Sequence, residues 1–257
     1  MSDAAGVSTP MVPNSKLSKS NGDEEFPLEK DGIIAYQSVV GSLMYAMVCT
    51  RPDLAFTLSR LSKFNANPTN IHMAAAYHAL RYLRQTSTVG IVYRRTENSE
   101  LYAFSDSDFA ADPIDRKSTS GFVTIHNGGA ISWRSKQQDV VALSTTEAEY
   151  IGLSDACREL NWLVPLAQNS GMFKPTESYV PTIYGDNQGS IALATNPIHH
   201  NRSKHIDVKF YHYVRNEVEN GRVKLKYIPT AEMTADILTK ALPRELHQRH
   251  MKAMGMD

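Results

Sequence analysis

The stretch Leu101-Tyr102-Ala103-Phe104-Ser105-Asp106 begins the part of the chain in which the sequence pattern changes to a period of two. That period is typical of β-strands, because successive side chains of a strand point to opposite faces of a sheet. Turn sequences follow at Pro113-Ile114-Asp115 and at Asn127-Gly128-Gly129. We therefore predict three strands in a meander, over residues 101–106, 120–125 and 130–135.

After these strands the pattern alternates between helix and strand. It predicts a helix, a strand and a short helix, and then a longer helix that ends at Gly221, a strand and a final helix. The expected ranges are residues 145–166, 181–185, 187–194, 206–220, 223–228 and 231–242. This order predicts an α/β domain over residues 98–257, with a mixed sheet flanked by helices.

The residues before this domain show a different pattern. Over residues 31–97 the apolar side chains recur at helical spacing, which predicts a small unit of about three helices. Residues 1–30 are rich in Ser, Asn, Asp, Lys and Pro and have no sustained period. We expect them to form a disordered or extended leader.

The overall charge gives no preference for nucleic acid. The 257 residues contain 27 Lys and Arg and 27 Asp and Glu, so the formal net charge is zero. Such a chain contacts nucleic acid through local basic patches and not through a global field. One patch begins at Arg202, and its candidate nucleic-acid-binding residues are Lys204, Lys209, Arg215, Lys224 and Lys226.

Cysteine usage and hydropathy indicate the compartment. Cys49 and Cys157 are isolated, with neither a metal-binding spacing nor a disulfide framework, which fits a reducing, intracellular compartment. No apolar run approaches the length of a membrane span, and the N-terminal residues lack the apolar core of a signal peptide. We therefore expect no membrane partner.

Four acidic residues stand at or near the ends of predicted elements: Asp106, Glu149, Asp186 and Asp236. Carboxylates are costly to desolvate at such positions unless a cation neutralises them. If the four converge, they form an all-oxygen site that suits Mg²⁺ or Mn²⁺. Two ordinary roles remain as alternatives, since Asp186 can cap the helix that follows it and Asp236 can be a solvated surface residue.

Geometry separates some of these acids from their acidic neighbours. Glu149 lies four residues before Leu153 on the apolar stripe of its helix, so we expect it to face the core. Glu147 lies about 200° around the helix, so we expect it to face solvent as a favourable charge in the first turn. Asp106 and Asp108 share one face of a strand, and we prefer Asp106 because Asp108 is nearer the loop.

Several motifs, in this order, resemble the ribonuclease H domain of copia-type retrotransposon polyproteins. They are Ser105-Asp106-Ser107-Asp108-Phe109-Ala110, Leu143-Ser144-Thr145-Thr146-Glu147-Ala148-Glu149-Tyr150, Asp186-Asn187-Gln188, Lys204-His205-Ile206-Asp207 and Ala235-Asp236-Ile237-Leu238-Thr239-Lys240.

The helical unit is similar to the end of the reverse transcriptase of the same family, its thumb and connection. The matching stretches are Val40-Gly41-Ser42-Leu43-Met44-Tyr45, Thr50-Arg51-Pro52-Asp53-Leu54-Ala55 and Leu80-Arg81-Tyr82-Leu83. Ser8-Thr9-Pro10-Met11 resembles the polymerase tail just upstream, so the resemblance covers nearly the whole chain.

The resemblance implies a site and a reaction. By this resemblance, Asp106, Glu149, Asp186 and Asp236 match the four metal-binding acids of the family, which would hold two Mg²⁺ ions, with Mn²⁺ as an alternative. The implied reaction is endonucleolytic hydrolysis of the RNA strand of an RNA–DNA hybrid, recognised through its 2′-hydroxyls. Asp108 and Glu147 are accessory candidates.

One difference from the cellular relatives concerns a histidine. Those enzymes carry a mobile His on the loop before the last helix, where this chain has Tyr227-Ile228-Pro229-Thr230. His205 is a candidate accessory residue in its place. The alternative is an ordinary surface or helix-start histidine.

A second difference is that no motif of paired aspartates typical of a polymerase palm precedes the helical unit. We therefore expect no polymerase activity, and we expect either a processed or truncated piece of a polyprotein, with the palm as its upstream partner, or the product of a degenerate copy. The expected location is the cytoplasm or retroelement virus-like particles, with the nucleus as an alternative.

Two other functions were compared with this interpretation. An integrase or transposase of the same general fold has two Asp followed by a late Glu, whereas here the Glu is second and an Asp is last, which disfavours that class. A catalytically silent, nucleic-acid-binding remnant of a retroelement remains the alternative to an active nuclease.

Overall fold

A computed structural model of the protein describes residues 5–13, 15, 17, 26–95, 100–171, 179–196 and 208–257. Within these ranges, five strands form one mixed sheet in the order β3-β2-β1-β4-β5. β1, β2 and β3 are antiparallel neighbours, whereas β4 is parallel to both β1 and β5. The strands are β1 (Leu101–Asp108), β2 (Thr119–His126), β3 (Gly129–Gln137), β4 (Thr182–Gly185) and β5 (Lys224–Tyr227). The predicted α/β class, a mixed sheet flanked by helices, is confirmed.

The described residues also form seven α-helices, of which α1–α3 make up the helical unit that the sequence predicts. They are α1 (Lys30–Cys49), α2 (Ala55–Ser62), α3 (Asn70–Gln85), α4 (Thr145–Asn169), α5 (Gln188–Thr195), α6 (Val208–Glu219) and α7 (Arg244–Ala253).

The two faces of the sheet belong to different hydrophobic clusters. Leu101, Ala103 and Phe122 pack with α4–α6 on one face. Val123 and Ile125 pack on the other face in a cluster that also contains buried residues of α1–α3 and α7. The alternation of Phe122 and Val123 follows from the period of two in a strand. The sheet is thus covered on both sides, and its ends are left for polar side chains.

The predicted final helix over residues 231–242 is wrong. The structure has two short 3-10 helices there, Thr230–Glu232 and Thr234–Leu238, and α7 begins only after Pro243. The second 3-10 segment packs against β1 and β2, and buries Asp236, Ile237 and Leu238. These tertiary contacts outweigh the local preference for a continuous helix.

Helix α1 corrects the expectation that no apolar run approaches the length of a membrane span. Its 20 residues are long and apolar enough to cross a membrane by length and composition alone. Such a helix is a weak indication of a span, because core helices of other proteins pass the same test. Tyr36, Val40 and Leu43 are buried in the cluster shared with α2 and α3, while Tyr45 and Val48 are exposed.

The described part of the predicted leader packs on the helical unit. Met11 and Leu17 are buried in the same cluster as α1–α3. The Ala5 carbonyl accepts a hydrogen bond of 2.7 Å from Arg81 Nε, and the Thr9 carbonyl lies 2.9 Å from His78 Nε2. A single cluster therefore extends from the leader through the helical unit to the sheet, across residue 97, where the sequence places a domain boundary.

Because this cluster crosses the boundary, we predict that the helical unit and the sheet unfold together. Leu58 of α2 is fully buried, so Leu58→Ala should cost about 2–5 kcal/mol through lost contacts and a residual cavity. Urea unfolding followed by far-ultraviolet circular dichroism and by tryptophan fluorescence should give one coincident transition, which the substitution shifts as a whole. Two transitions, of which Leu58→Ala moves one, would show two independent units.

Candidate active site

Asp106 lies near the end of β1, and a glycine on the next strand lets a distant segment reach it. Asp106 pairs with Gly121 of β2. A Cβ atom on Gly121 would lie 2.6 Å from Leu238 Cβ and 2.9 Å from Thr239 Cγ2. Without a side chain at residue 121, residues 238 and 239 can lie against the sheet, and Thr239 Oγ1 donates a hydrogen bond to Asp106 Oδ2.

Glu149 lies near Asp106 because a second glycine lets helix α4 pack closely on β1. It lies in the second turn of α4, whose first turn is capped by Ser144, and it is buried. A Cβ atom on Gly152 would lie 2.7 Å from Ser107 Oγ, so the glycine lets α4 pack closely on β1. The Glu149 carboxylate accepts a hydrogen bond from the Ser107 backbone N–H.

Asp186 follows β4 directly and is half-buried. The alternative role as a helix cap belongs instead to Asn187, whose Oδ1 accepts a hydrogen bond of 2.9 Å from the Ser190 N–H at the start of α5. The Asp186 carboxylate is left to accept a hydrogen bond of 2.7 Å from Thr230 Oγ1. It therefore faces the segment after β5 and not its own helix.

Three carboxylates meet at this end of the sheet. Oxygen atoms of Asp106, Glu149 and Asp186 all lie within 4.8 Å of one another. Such a set has only oxygen donors, and oxygen donors suit hard divalent cations such as Mg²⁺ and Mn²⁺. The residues therefore fit a divalent metal ion.

Asp236 lies beside this cluster but is held by a lysine. Its Oδ1 is 3.0 Å from Lys240 Nζ, and the same ammonium is 3.8 Å from Asp106 Oδ2. Burial would lower the pKa of Lys240, but the charges of Asp106 and Asp236 outweigh it and raise that pKa. Among the described residues, the three-carboxylate set does not include Asp236, which adjoins Asp106 on the side of Lys240.

The crowding of acids changes their protonation. Burial raises the pKa of the Glu149 carboxyl to about 10, and the nearby charges of Asp106 and Asp186 add to the shift. Burial and the Asp106 charge raise the pKa of Asp236 to about 7, against the attraction of Lys240. Burial also raises the pKa of Asp108, with Lys240 opposing it. A cation in the cluster would remove the repulsion that causes part of these shifts.

The structure corrects the expected orientation of Glu147, which is buried and not solvent-facing. Its N–H donates to Ser144 Oγ at 3.1 Å, and its carboxylate accepts from the Leu143 N–H at 2.7 Å. Both bonds satisfy backbone and side-chain groups at the start of α4, which is a capping role. The other neighbour, Asp108, is the last residue of β1 and pairs with Thr119, so it is not in the loop.

The predicted nucleic-acid-binding residues differ in how the structure places them. Lys224 and Lys226 are exposed on β5, whereas Arg215 forms an ion pair of 2.7 Å with Glu219. Lys209 belongs to α6, but its side chain lies outside the described part of the structure. Lys204 and His205 lie wholly outside the described residues.

Sequence reasoning assigned no role to Gly121, Gly152, Thr230, Thr239 or Lys240. Thr239 and Lys240 belong to a motif that was quoted for Asp236, so their proximity in sequence was an available signal. The two glycines act through the close approach of elements far apart in the chain, which a single sequence does not reveal. Thr230 reaches Asp186 from 44 residues away.

The raised pKa of Glu149 predicts that Glu149→Gln stabilises the protein in EDTA. The folded-state pKa of about 10 exceeds the ordinary value of 4.5, so the fold favours the protonated acid. The stability from this preference is complete below the ordinary pKa and is lost as the pH rises towards the folded-state value. Thermal melts at a series of pH values should show the free energy of unfolding of the wild-type protein falling over that pH range, and that of the variant falling less. In the upper half of the range the two falls should differ by at least about 1 kcal/mol.

Added Mg²⁺ provides the control for this pH dependence. It should raise the melting temperature of the wild-type protein more than that of Glu149→Gln, because the variant has lost one charged ligand. Identical pH profiles for the two proteins in EDTA would contradict the burial of an ionisable Glu149 among other acids.

Comparison with known proteins identifies relatives of the whole chain. It is 41% identical over 260 residues to the retrovirus-related Pol polyprotein from transposon TNT 1-94 of Nicotiana tabacum, a match that covers 100% of this chain and 19% of that protein. It is 38% identical over 259 residues to the corresponding polyprotein from transposon RE1 of Arabidopsis thaliana, covering 100% of this chain and 17% of that protein. No protein-family model matches the chain.

Solved structures of ribonuclease H domains are also similar. The N-terminal ribonuclease H domain of a Mycobacterium tuberculosis protein has a TM-score of 0.38 and 13% identity, and covers 61% of this chain and 99% of that one. This TM-score is low, so the assignment comes from the sequence relatives. These identities extend over the entire chain, so its homologues are retrovirus-related Pol polyproteins of plant transposons, and the chain spans less than a fifth of their length.

Proposed function

We propose that the protein is a metal-dependent ribonuclease H, which hydrolyses the RNA strand of RNA–DNA hybrids endonucleolytically as part of a retrotransposon reverse transcriptase. The observation that carries this proposal is the meeting of Asp106, Glu149 and Asp186 within 4.8 Å at one end of the sheet. The Pol polyprotein relatives support the class of reaction, because reverse transcription produces RNA–DNA hybrids. No polymerase activity is proposed for this chain.

The residues of the site have separate tasks in this proposal. Asp106, Glu149 and Asp186 would hold divalent metal, and Asp236 would join them from the side of Lys240. Bound Mg²⁺ supplies the positive charge that lowers the pKa of a water nucleophile and stabilises the leaving oxygen. Thr239 and Thr230 orient the carboxylates of Asp106 and Asp186 through their hydrogen bonds. The Ser107 N–H does the same for Glu149.

The decisive experiment is incubation of the purified protein with an RNA–DNA hybrid labelled on the RNA strand. We expect cleavage of that strand with Mg²⁺, no cleavage in EDTA, and no cleavage of duplex DNA. Asp106→Asn, Glu149→Gln and Asp186→Asn should each reduce the rate to background, because each removes a charged ligand at the centre of the site.

Glu147→Gln is the matched control for Glu149→Gln. Its Oε atom can still accept the hydrogen bond from Leu143, so cleavage should remain near the wild-type rate. If Glu147→Gln were inactive and Glu149→Gln active, the assignment of Glu149 as the metal ligand would be wrong. A wild-type protein that binds hybrid but never cleaves it would favour the alternative, a catalytically silent nucleic-acid-binding remnant.

Lys224 and Lys226 are proposed to contact the phosphates of the hybrid. Lys226 pairs with Tyr184 and Tyr184 with Phe104, so these residues share a sheet face with Asp106, two residues beyond Phe104. The two strand spacings between β5 and β1 amount to about 10 Å across the sheet. Within the described residues neither lysine has an ion-pair partner, so both charges are available to a polyanion.

We predict that reversing both lysines to Glu weakens hybrid binding for every sequence alike. The slope of the logarithm of affinity against the logarithm of salt concentration should become shallower by about 2, because about one counterion is released for each phosphate contact. Fluorescence anisotropy of the Glu149→Gln protein measures this without cleavage. Lys30→Glu with Lys252→Glu gives the same change in net charge and should have a smaller effect. Equal effects of the two double variants would place the binding surface elsewhere.

A further inference from the structure

A buried ion pair joins the helical unit to the loop that follows the catalytic strand. Asp112, in the connection between β1 and β2, has no exposed surface. Its Oδ2 lies 2.5 Å from Nη1 of Arg60 in α2 and also bonds Nζ of Lys63, just after that helix. The Arg60 side chain is 10% exposed and that of Lys63 24%. Two cations thus share one buried carboxylate across about 50 residues of chain.

Asp112 also holds the shape of its own loop. Its Oδ1 accepts a hydrogen bond of 2.9 Å from the Ile114 N–H, and its carbonyl accepts one of 3.1 Å from the Arg116 N–H. Ala110 and Arg116 have φ values of 51° and 57°, in the left-handed region that non-glycine residues rarely adopt. A loop with two such residues needs fixed contacts to persist. Asp112 provides the contact at Arg116, and Ser118 Oγ accepts a hydrogen bond of 3.1 Å from the Ala110 N–H.

This loop connects the end of β1, the strand that carries Asp106, to the start of β2. The loop leaves β1 after Asp108 and returns at Thr119, and these two residues pair with each other. Two positions further in, Asp106 pairs with Gly121. A shift of the loop therefore moves the end of β1, which carries Asp106. Burial alone would raise the pKa of Asp112, but the hydrogen bonds from Lys63 and the Ile114 N–H and the charge of Arg60 lower it to about 2, so the carboxylate stays charged at neutral pH.

We propose that Arg60 and Lys63 are positioning residues for the nuclease reaction, which fix the catalytic end of β1 by holding Asp112. This inference rests on the proposed ribonuclease H function. It assigns to the helical unit a part in catalysis, because α2 supplies one of the two cations and the other follows it immediately. A displacement of about 1 Å in a catalytic group can cost on the order of 100-fold in rate.

The test compares two buried arginines. Arg60→Met leaves Asp112 with one cation, and Asp112→Asn removes the charge that both cations hold. The control is Arg51→Met, because Arg51 is also buried and makes two hydrogen bonds to Asp53, of 2.9 Å and 2.7 Å. Arg51 also donates hydrogen bonds to Thr86 and lies over the Tyr82 ring, and neither residue belongs to the loop of Asp112.

We expect Arg60→Met and Asp112→Asn to lower kcat on an RNA–DNA hybrid by about 10- to 100-fold, with KM within about threefold of wild type. Both should need more Mg²⁺ for half-maximal rate, since a misplaced Asp106 binds metal less well. Arg60→Lys, which keeps the charge, should restore part of the rate. Arg51→Met should lower the melting temperature by a similar amount and leave kcat and the Mg²⁺ requirement unchanged.

Two results would overturn the inference. If Arg60→Met loses stability as Arg51→Met does but keeps the wild-type kcat and Mg²⁺ requirement, the ion pair is merely structural and the inference is overturned. If the wild-type protein does not cleave hybrid, the proposed function fails by itself. The Mg²⁺-induced rise in melting temperature then decides the inference, because it should shrink in Arg60→Met and persist in Arg51→Met. An equal rise in both variants would overturn it.

Discussion

Repulsion among buried carboxylates is the constraint on which the rest of this structure depends. Three acids lie within 4.8 Å of one another at the end of the sheet, and a fourth adjoins them. Charges of one sign at such distances disfavour ionisation and oppose folding unless a cation or hydrogen-bond donors compensate. The protein supplies donors from Thr230, Thr239 and the Ser107 backbone, and a cation from Lys240. Each of these groups reaches the carboxylates because the segment that carries it packs at this end of the sheet.

The local sequence pattern was sufficient to predict most strands and helices, but not the close contacts between segments far apart in the chain. The period of two identified β1–β3, and helical spacing identified the three helices before the sheet and placed α4 with an error of three residues at its end. The same spacing placed Glu149 on the core-facing stripe of α4, and the structure has it beside Asp106. The roles of the four acids stay predictions. What no local pattern contains is the contact of Gly121 with residues 238 and 239, because it joins segments more than 100 residues apart.

Two expectations were wrong because a helix rule was outweighed by other contacts, by capping at Glu147 and by packing on the sheet at residues 231–242. Glu147 was expected in solvent because its helical angle points away from the apolar stripe, yet its side chain is buried and accepts a hydrogen bond from the Leu143 N–H. Residues 231–242 were expected to continue one helix, yet burial of Asp236 and Leu238 against the sheet requires tighter turns. In both places, contacts outside the helical repeat decided the conformation.

The position of Lys240 bears on whether folding of the protein depends on divalent metal ions. Its ammonium lies 3.0 Å from Asp236 and 3.8 Å from Asp106, where it acts as a covalently attached counterion. A nuclease that depended on free metal to offset its acids would reach its native state only where metal is abundant. In the proposed nuclease, a tethered counterion would separate folding from metal binding: the chain would fold without divalent ions, and their supply would then govern only its activity.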